Sequence, residues 1–168
     1  MSEQQVGPEA VEEITEQAEE ILAEAVREEE PSAAVGPLVG IIMGSKSDME
    51  TMEKAGAVLK EAEVSFEITV MSAHRDPEMV AEYCRGARRR GLRVIIAGAG
   101  LSAALPGVAA AHTDLPVIGV PLSGRLSAAG GLDAILSVVQ MPPGVPVASV
   151  GLDNPRNAAH LAVRILGA

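Results

Sequence analysis

From Leu38 onward, short apolar runs alternate with stretches whose apolar positions recur every three or four residues. LVGIIM (38–43) has no polar alternation, as expected for a strand buried on both faces. FEITVM (66–71), RVIIAG (93–98), PVIGV (116–120) and VPVASV (145–150) supply four more predicted strands. Between them lie helical stripes: Met52, Ala55, Leu59 and Ala62, then Met79, Val80, Tyr83, Cys84 and Ala87. A short helix is predicted from Leu105 to about His112, and another over Gly131 to Gln140. The last helix shows Ala158, Leu161, Ala162 and Ile165 on one face, behind the cap-and-first-turn pair Asn154-Pro155. Pro77 suits a first helical position in the same way. Strand–helix alternation of this kind predicts an α/β fold, a parallel sheet with helices on both sides. In such sheets ligands bind beyond the carboxyl ends of the strands, which selects loops 44–48, 72–76, 98–107 and 121–130.

The first 37 residues follow a different pattern. Val11, Ile14, Ala18, Ile21 and Ala25 form an apolar stripe over 9–29 with glutamates opposite, predicting an acidic amphipathic helix. PSAAVGP (31–37) then reads as a linker to an α/β domain over 38–168. The helix fits a solubilising appendage, or an element docking on a partner or sister subunit; its pattern names no partner.

Charge and composition narrow the functional classes. The formal charge of -10 resides in residues 1–30, where eleven Glu face one Arg; residues 31–168 carry twelve acids and twelve bases. The α/β domain therefore offers no bulk field for a polyanion. With Phe66 and Tyr83 the only aromatics, stacking on nucleic-acid bases is excluded as a binding mode. Arg85, Arg88, Arg89, Arg90 and Arg93 straddle a predicted helix C-terminus, where cations complement the dipole, and read as a solvated or subunit-contacting face rather than a nucleic-acid patch. The lone Cys84 excludes an internal disulfide and a cysteine-based zinc cluster, and suits a reducing, cytoplasmic setting. No apolar run approaches the roughly 20 residues of a membrane span, and the acidic N-terminus lacks the apolar core of a secretory signal. His112 and His160 fall in predicted helices away from the strand ends and read as structural; no two histidines have helical metal-pair spacing.

Three strand-end loops carry candidate chemistry. Gly44-Ser45-Lys46-Ser47-Asp48 offers backbone N–H groups, two hydroxyls and a helix N-terminus to an anion such as a ribose phosphate. The second glycine and Gly-Lys-Ser/Thr ending of a Walker loop are absent. Asp48 could cap the helix or bind ribose hydroxyls, and an ordinary capped turn fits the same residues. Ser72-Ala73-His74-Arg75 sets an imidazole able to take or give a proton near neutral pH beside a guanidinium able to fork onto phosphate or carboxylate. A backbone-bonded loop histidine is the alternative. Ala97 to Gly107 is built of small residues that let backbone close around a compact ligand, or let a helix pack tightly on the sheet.

Taken together, GIIMGSKSD, MSAHRDPE, VIIAGAG with LPG, LPVIGVP, and GGLDA through VQMPPGVPVA resemble, in order and spacing, the N5-carboxyaminoimidazole ribonucleotide mutase family, over about residues 38–167. The resemblance implies a three-layer α/β/α sandwich with a parallel, flavodoxin-like sheet, behind the N-terminal acidic helical extension. It implies a reaction in purine biosynthesis that moves a carboxylate from an exocyclic nitrogen to C4 of an aminoimidazole ribonucleotide. His74 then matches the family's general acid/base. Ser45, Ser47 and Asp48 match its ribose-phosphate loop, and Arg75 its phosphate-binding arginine. Ser72 and Ala73 would line the ring site, with Gly98, Ala99, Gly100 and Leu105 the wall near the migrating carboxylate. The implied partners are the small-molecule ribonucleotide substrate and sister subunits of a homo-octamer, with no cofactor, metal, nucleic acid or membrane.

Two positions depart from the family pattern: Leu101 stands where glycine is common, and Ala104 where histidine is common. Competing expectations are a related carboxylase using free carbon dioxide, a nicotinate-nucleotide carboxylase, and a non-catalytic nucleotide-binding module. The nicotinate-type relatives share the later glycine-rich and GGLDA-like segments but lack a clear Ser-Ala-His-Arg loop, so His74-Arg75 discriminates.

Overall fold

A computed structural model describes residues 36–167; the helix expected over 9–29 lies outside the described residues. Five parallel strands form one sheet: β1 (Val39–Met43), β2 (Phe66–Val70), β3 (Val94–Gly100), β4 (Val117–Leu122) and β5 (Ala148–Ser149), in the order β2-β1-β3-β4-β5. Five helices connect or follow them: α1 (Met49–Glu61), α2 (Pro77–Gly86), α3 (Leu105–Ala111), α4 (Leu132–Val139) and α5 (Pro155–Leu166).

Strand pleating divides the core into two layers. Val39, Ile41, Met43, Val94, Ile96, Ile118, Val120 and Leu122 face α1 and α5, meeting Met52, Ala55, Leu59, Ala158, Ala159 and Ala162. The intervening residues Ile42, Ile95, Ala97 and Val117 face α2, α3 and α4, meeting Val80, Cys84, Leu105, Ala109, Ala134 and Val138. This is the expected three-layer α/β/α sandwich. Burial on both faces explains the continuous apolar runs of the central strands.

A core almost free of aromatics packs its two rings against glycines. A Cβ on Gly56 would lie 2.8 Å from the Phe66 ring, and one on Gly40 would overlap the Tyr83 hydroxyl. Each glycine thus makes room on its own element for a ring from a neighbour. Arg90 covers the outer side of Tyr83, 4.3 Å from the ring centroid.

Several expected boundaries shift. The third strand runs on through Ala99 and Gly100, and the fourth through Pro121 and Leu122, because the β3–β4 ladder continues to the Gly100–Leu122 pair. The fifth strand shrinks from six residues to Ala148–Ser149. Pro146 has no N–H to donate, and only β4 borders this edge. Met79 and Ile165, expected on buried stripes, are 47% and 44% exposed. Burial on α2 narrows to Val80, Ala81 and Cys84, and on α5 to Pro155, Ala158, Ala159 and Ala162. Cys84 is buried, and that burial pushes its thiol up to about 11, consistent with an inert role.

Candidate active site

The strand order reverses direction between β1 and β3, and the pocket opens at that switch point, beyond the carboxyl ends of the strands. A cavity of about 880 Å³ is lined by residues from the loops after β1, β2, β3 and β4. These are the four loops that the strand-end rule selects.

The loop after β1 leaves the sheet at Gly44, whose N–H still donates to Gly98 O at 3.2 Å. It then tightens into a 3-10 turn, Lys46–Asp48. Ser45 caps that turn, its Oγ accepting from Ser47 N at 3.3 Å, while Ser47 Oγ lies 2.9 Å from Ser45 Oγ and 3.3 Å from Asp48 Oδ1. Asp48 occupies the N-cap position of α1 without a side-chain cap bond. Its carboxylate is therefore not consumed by the helix end, which leaves it for the pocket. Burial raises the Asp48 carboxyl above its ordinary range, against the lowering effects of hydrogen bonds at Ser47 and Ser45 and of the Arg75 charge.

The loop after β2 is a compact turn in which Arg75 N and Asp76 N both donate to Ser72 O, at 3.3 and 2.9 Å. Asp76 caps α2 by accepting from Met79 N at 3.2 Å, with Pro77 in the first turn as expected. The turn presents His74, exposed, at the cavity. Arg75 crosses to the neighbouring loop: its Nη2 donates to Gly44 O at 2.9 Å and its Nε to Ser72 Oγ at 3.3 Å.

The loop after β3 carries Leu101 with φ 55°, a left-handed conformation that favours glycine. Leu101, Ser102, Ala104 and Leu105 line the cavity from this side. The loop after β4 completes the enclosure with Leu122 to Ser127.

Ten of the eleven sequence-nominated residues line this one cavity: Ser45, Ser47, Asp48, Ser72, Ala73, His74, Arg75, Ala99, Gly100 and Leu105. Gly98 does not. It lies inside β3, where a side chain would run into the Met52 thioether, so its position is one of packing beneath the pocket. The strand-end rule selects the 121–130 loop without singling out a residue in it; Arg125, its one charged residue, is the signal there, and it lines the cavity. Among the described residues, no three His, Cys, Asp or Glu side chains gather as a metal site. No described helix is long and apolar enough to cross a membrane.

A family profile described as AIR carboxylase matches residues 38–168, well over half the chain. The chain belongs to the AIR carboxylase family. Among relatives in this family, the N5-carboxyaminoimidazole ribonucleotide mutase of Pyrococcus horikoshii is 58% identical over 131 residues, 78% of this chain and 73% of that protein. The enzyme of the same description from Aquifex aeolicus is 58% identical over 130 residues, 77% of each chain. The phosphoribosylaminoimidazole carboxylase of Saccharomyces cerevisiae is 57% identical over 136 residues, which is 81% of this chain but 24% of that longer protein. The crystal structure of Treponema denticola PurE superposes with a TM-score of 0.68 at 36% identity, covering 78% of this chain and 80% of that one. AIR carboxylase family membership thus spans the whole α/β unit that builds the cavity.

Proposed function

We propose that this protein interconverts N5-carboxyaminoimidazole ribonucleotide and 4-carboxy-5-aminoimidazole ribonucleotide in purine biosynthesis, acting as an isomerase. The observation that supports it most directly is His74 on the same cavity as the Ser45–Asp48 turn, Arg75 and the Ala99–Leu105 wall. A ribonucleotide of this kind needs three things at once: an anion and ribose site, a proton donor and acceptor, and a closed wall for a small neutral intermediate.

In this reading the phosphate and ribose lie on Ser45, Ser47, Asp48 and Arg75, and the ring lies against Ser72 and Ala73. His74 gives a proton to the exocyclic nitrogen as its bond to the carboxyl carbon breaks, releasing carbon dioxide. The Ala99, Gly100 and Leu105 wall holds the gas near the ring. C4, enamine-like in the aminoimidazole, attacks it and forms the new carbon–carbon bond. His74 then takes the proton that leaves C4, so the proton lent to nitrogen returns and the balance closes without a cofactor. Proximity replaces a second-order capture of dilute carbon dioxide.

The same reading takes the active form as a cytoplasmic homo-octamer, with residues 1–37 a separate acidic extension to the 38–168 domain. The test is turnover of N5-carboxyaminoimidazole ribonucleotide without ATP or metal, beside aminoimidazole ribonucleotide plus bicarbonate. Fast conversion of the first alone is expected. Conversion of the second alone would make the protein a carboxylase that uses free carbon dioxide.

A further inference from the structure

The loop after β4 is held more firmly than an exposed connection needs to be. Ser123 donates to Asp153 twice, from its N–H at 2.7 Å and its hydroxyl at 2.5 Å, while Asp153 N donates to Pro121 O at 2.9 Å. These bonds fasten the start of the loop to the turn before α5. The next four residues close on themselves in both directions: Ser127 N donates to Gly124 O at 3.0 Å, and Gly124 N to Ser127 Oγ at 2.8 Å. Beyond the turn, Ala128 N donates to Asp133 Oδ2 at 3.0 Å. Arg125 sits inside this braced turn and lines the cavity. Among the described residues it makes no ion pair and no side-chain hydrogen bond, whereas Arg75 across the pocket uses two of its donors on protein acceptors.

A preorganised loop whose unpaired arginine lines a cavity is suited to an anion, because little ordering cost remains to be met on binding. Its location says which anion. In the order β2-β1-β3-β4, the loop after β4 lies two strands from the loop after β1, roughly 10 Å away at ordinary strand spacing. A nucleotide with its phosphate on the Ser45–Arg75 side reaches the β4 side with its opposite end.

We propose that Arg125 binds the carboxylate of the substrate, and so distinguishes carboxylated from decarboxylated aminoimidazole ribonucleotide. The inference rests on the function proposed above. It makes Arg125 a specificity determinant: the guanidinium engages the carboxylate in substrate and product but loses its partner when neutral carbon dioxide is free. Its contribution is therefore to binding more than to the chemical step.

The experiment compares full-length wild type, Arg125→Ala and Arg125→Lys by calorimetric titration with two ligands that share one phosphate. These are 4-carboxy-5-aminoimidazole ribonucleotide and 5-aminoimidazole ribonucleotide. Arg125→Ala is expected to weaken the carboxylated ligand by roughly tenfold to a hundredfold, the range for a hydrogen-bonded charge, and to leave the other nearly unchanged. Arg125→Lys is expected to fall between. Asp153→Ala, which unfastens the loop, is expected to show a smaller selective loss with Arg125 still present. Equal losses for both ligands would overturn the proposal in favour of a phosphate contact. No loss for either would leave Arg125 as a solvent-facing side chain, with the function intact. A wild type that binds neither ligand would overturn the function and this inference together.

Discussion

Arg75 ties the loop after β2 to the loop after β1: its Nη2 donates to the Gly44 carbonyl at 2.9 Å while its Nε donates to Ser72 Oγ at 3.3 Å. One planar side chain thereby holds the backbone from which Ser45 and Ser47 project, and keeps further donors for a ligand. A lysine carries the charge but lacks the fork. Arg75→Lys is therefore expected to raise KM by roughly tenfold to a hundredfold, the worth of a charge-assisted hydrogen bond. Both bonds are exposed, so the melting temperature should stay close to that of wild type. Steady-state kinetics beside a thermal melt checks this, and a KM unchanged in the lysine variant would reduce Arg75 to a point charge.

His74 is exposed and makes no side-chain hydrogen bond among the described residues, so the fold does not depend on it. If it moves the proton, removing its acid–base chemistry acts on kcat. His74→Asn is expected to lower turnover by about 10²–10⁴-fold, with ribonucleotide binding and melting temperature kept. A calorimetric titration of the variant with product separates the two effects, and near-normal turnover would remove His74 from the mechanism.

The central sheet is legible in the sequence because β1, β3 and β4 are buried on both faces, which writes itself as unbroken apolar runs. β5 is not, because Pro146 and the sheet edge cut the ladder to two residues that the apolar run VPVASV does not reveal. Met79 and Ile165 show the limit of periodicity, which names a helical face but not its width. At the site, Ser45, Ser47, Asp48, His74 and Arg75 announce themselves by residue type at strand ends. Gly98 and Arg125 could not be sorted that way. Ala99 and Gly100 end the strand and line the cavity, while Gly98 lies one residue deeper against Met52, and the run of small residues does not show where the strand ends. Arg125 sits in a loop whose start, Ser123, is fastened by Asp153 thirty residues further along the chain, a contact that residue type alone does not announce.

Leu101 holds φ 55° with its side chain 47% exposed, so it bears the steric cost of a left-handed backbone while burying little apolar surface in return. Glycine adopts that conformation without the Cβ clash but loses more chain entropy on folding. The two effects leave a net gain: Leu101→Gly is expected to stabilise the fold by about 1 kcal/mol. In a chain of this length that is a rise in melting temperature of about 2–4 °C. Differential scanning calorimetry measures it. A fall in melting temperature would mean that the Leu101 contacts outweigh the strain.

Asp48 makes the site sensitive to acid in a direction opposite to that of a salt-bridged carboxylate. Burial raises its folded value above the ordinary one, and the Ser47, Ser45 and Arg75 interactions do not cancel that effect. Below the ordinary carboxylate value, folded and unfolded chains are both protonated at Asp48 and the group is neutral to stability. As pH rises between the ordinary and the raised value, the unfolded chain releases its proton first, so the folded state binds more protons and loses stability. Above the raised value the loss is complete. The ionised carboxylate therefore destabilises the empty fold at neutral pH, as expected of a group kept for a ligand rather than for folding. Asp48→Asn is expected to raise the melting temperature at pH 7, with the gain shrinking towards zero below the ordinary carboxylate range, and to weaken ribonucleotide binding. Thermal melts of both proteins from acid to neutral pH test the sign. A stability gain that grows as the solution is made more acidic would show that Asp48 is held by its hydrogen bonds and by Arg75, not opposed by its burial.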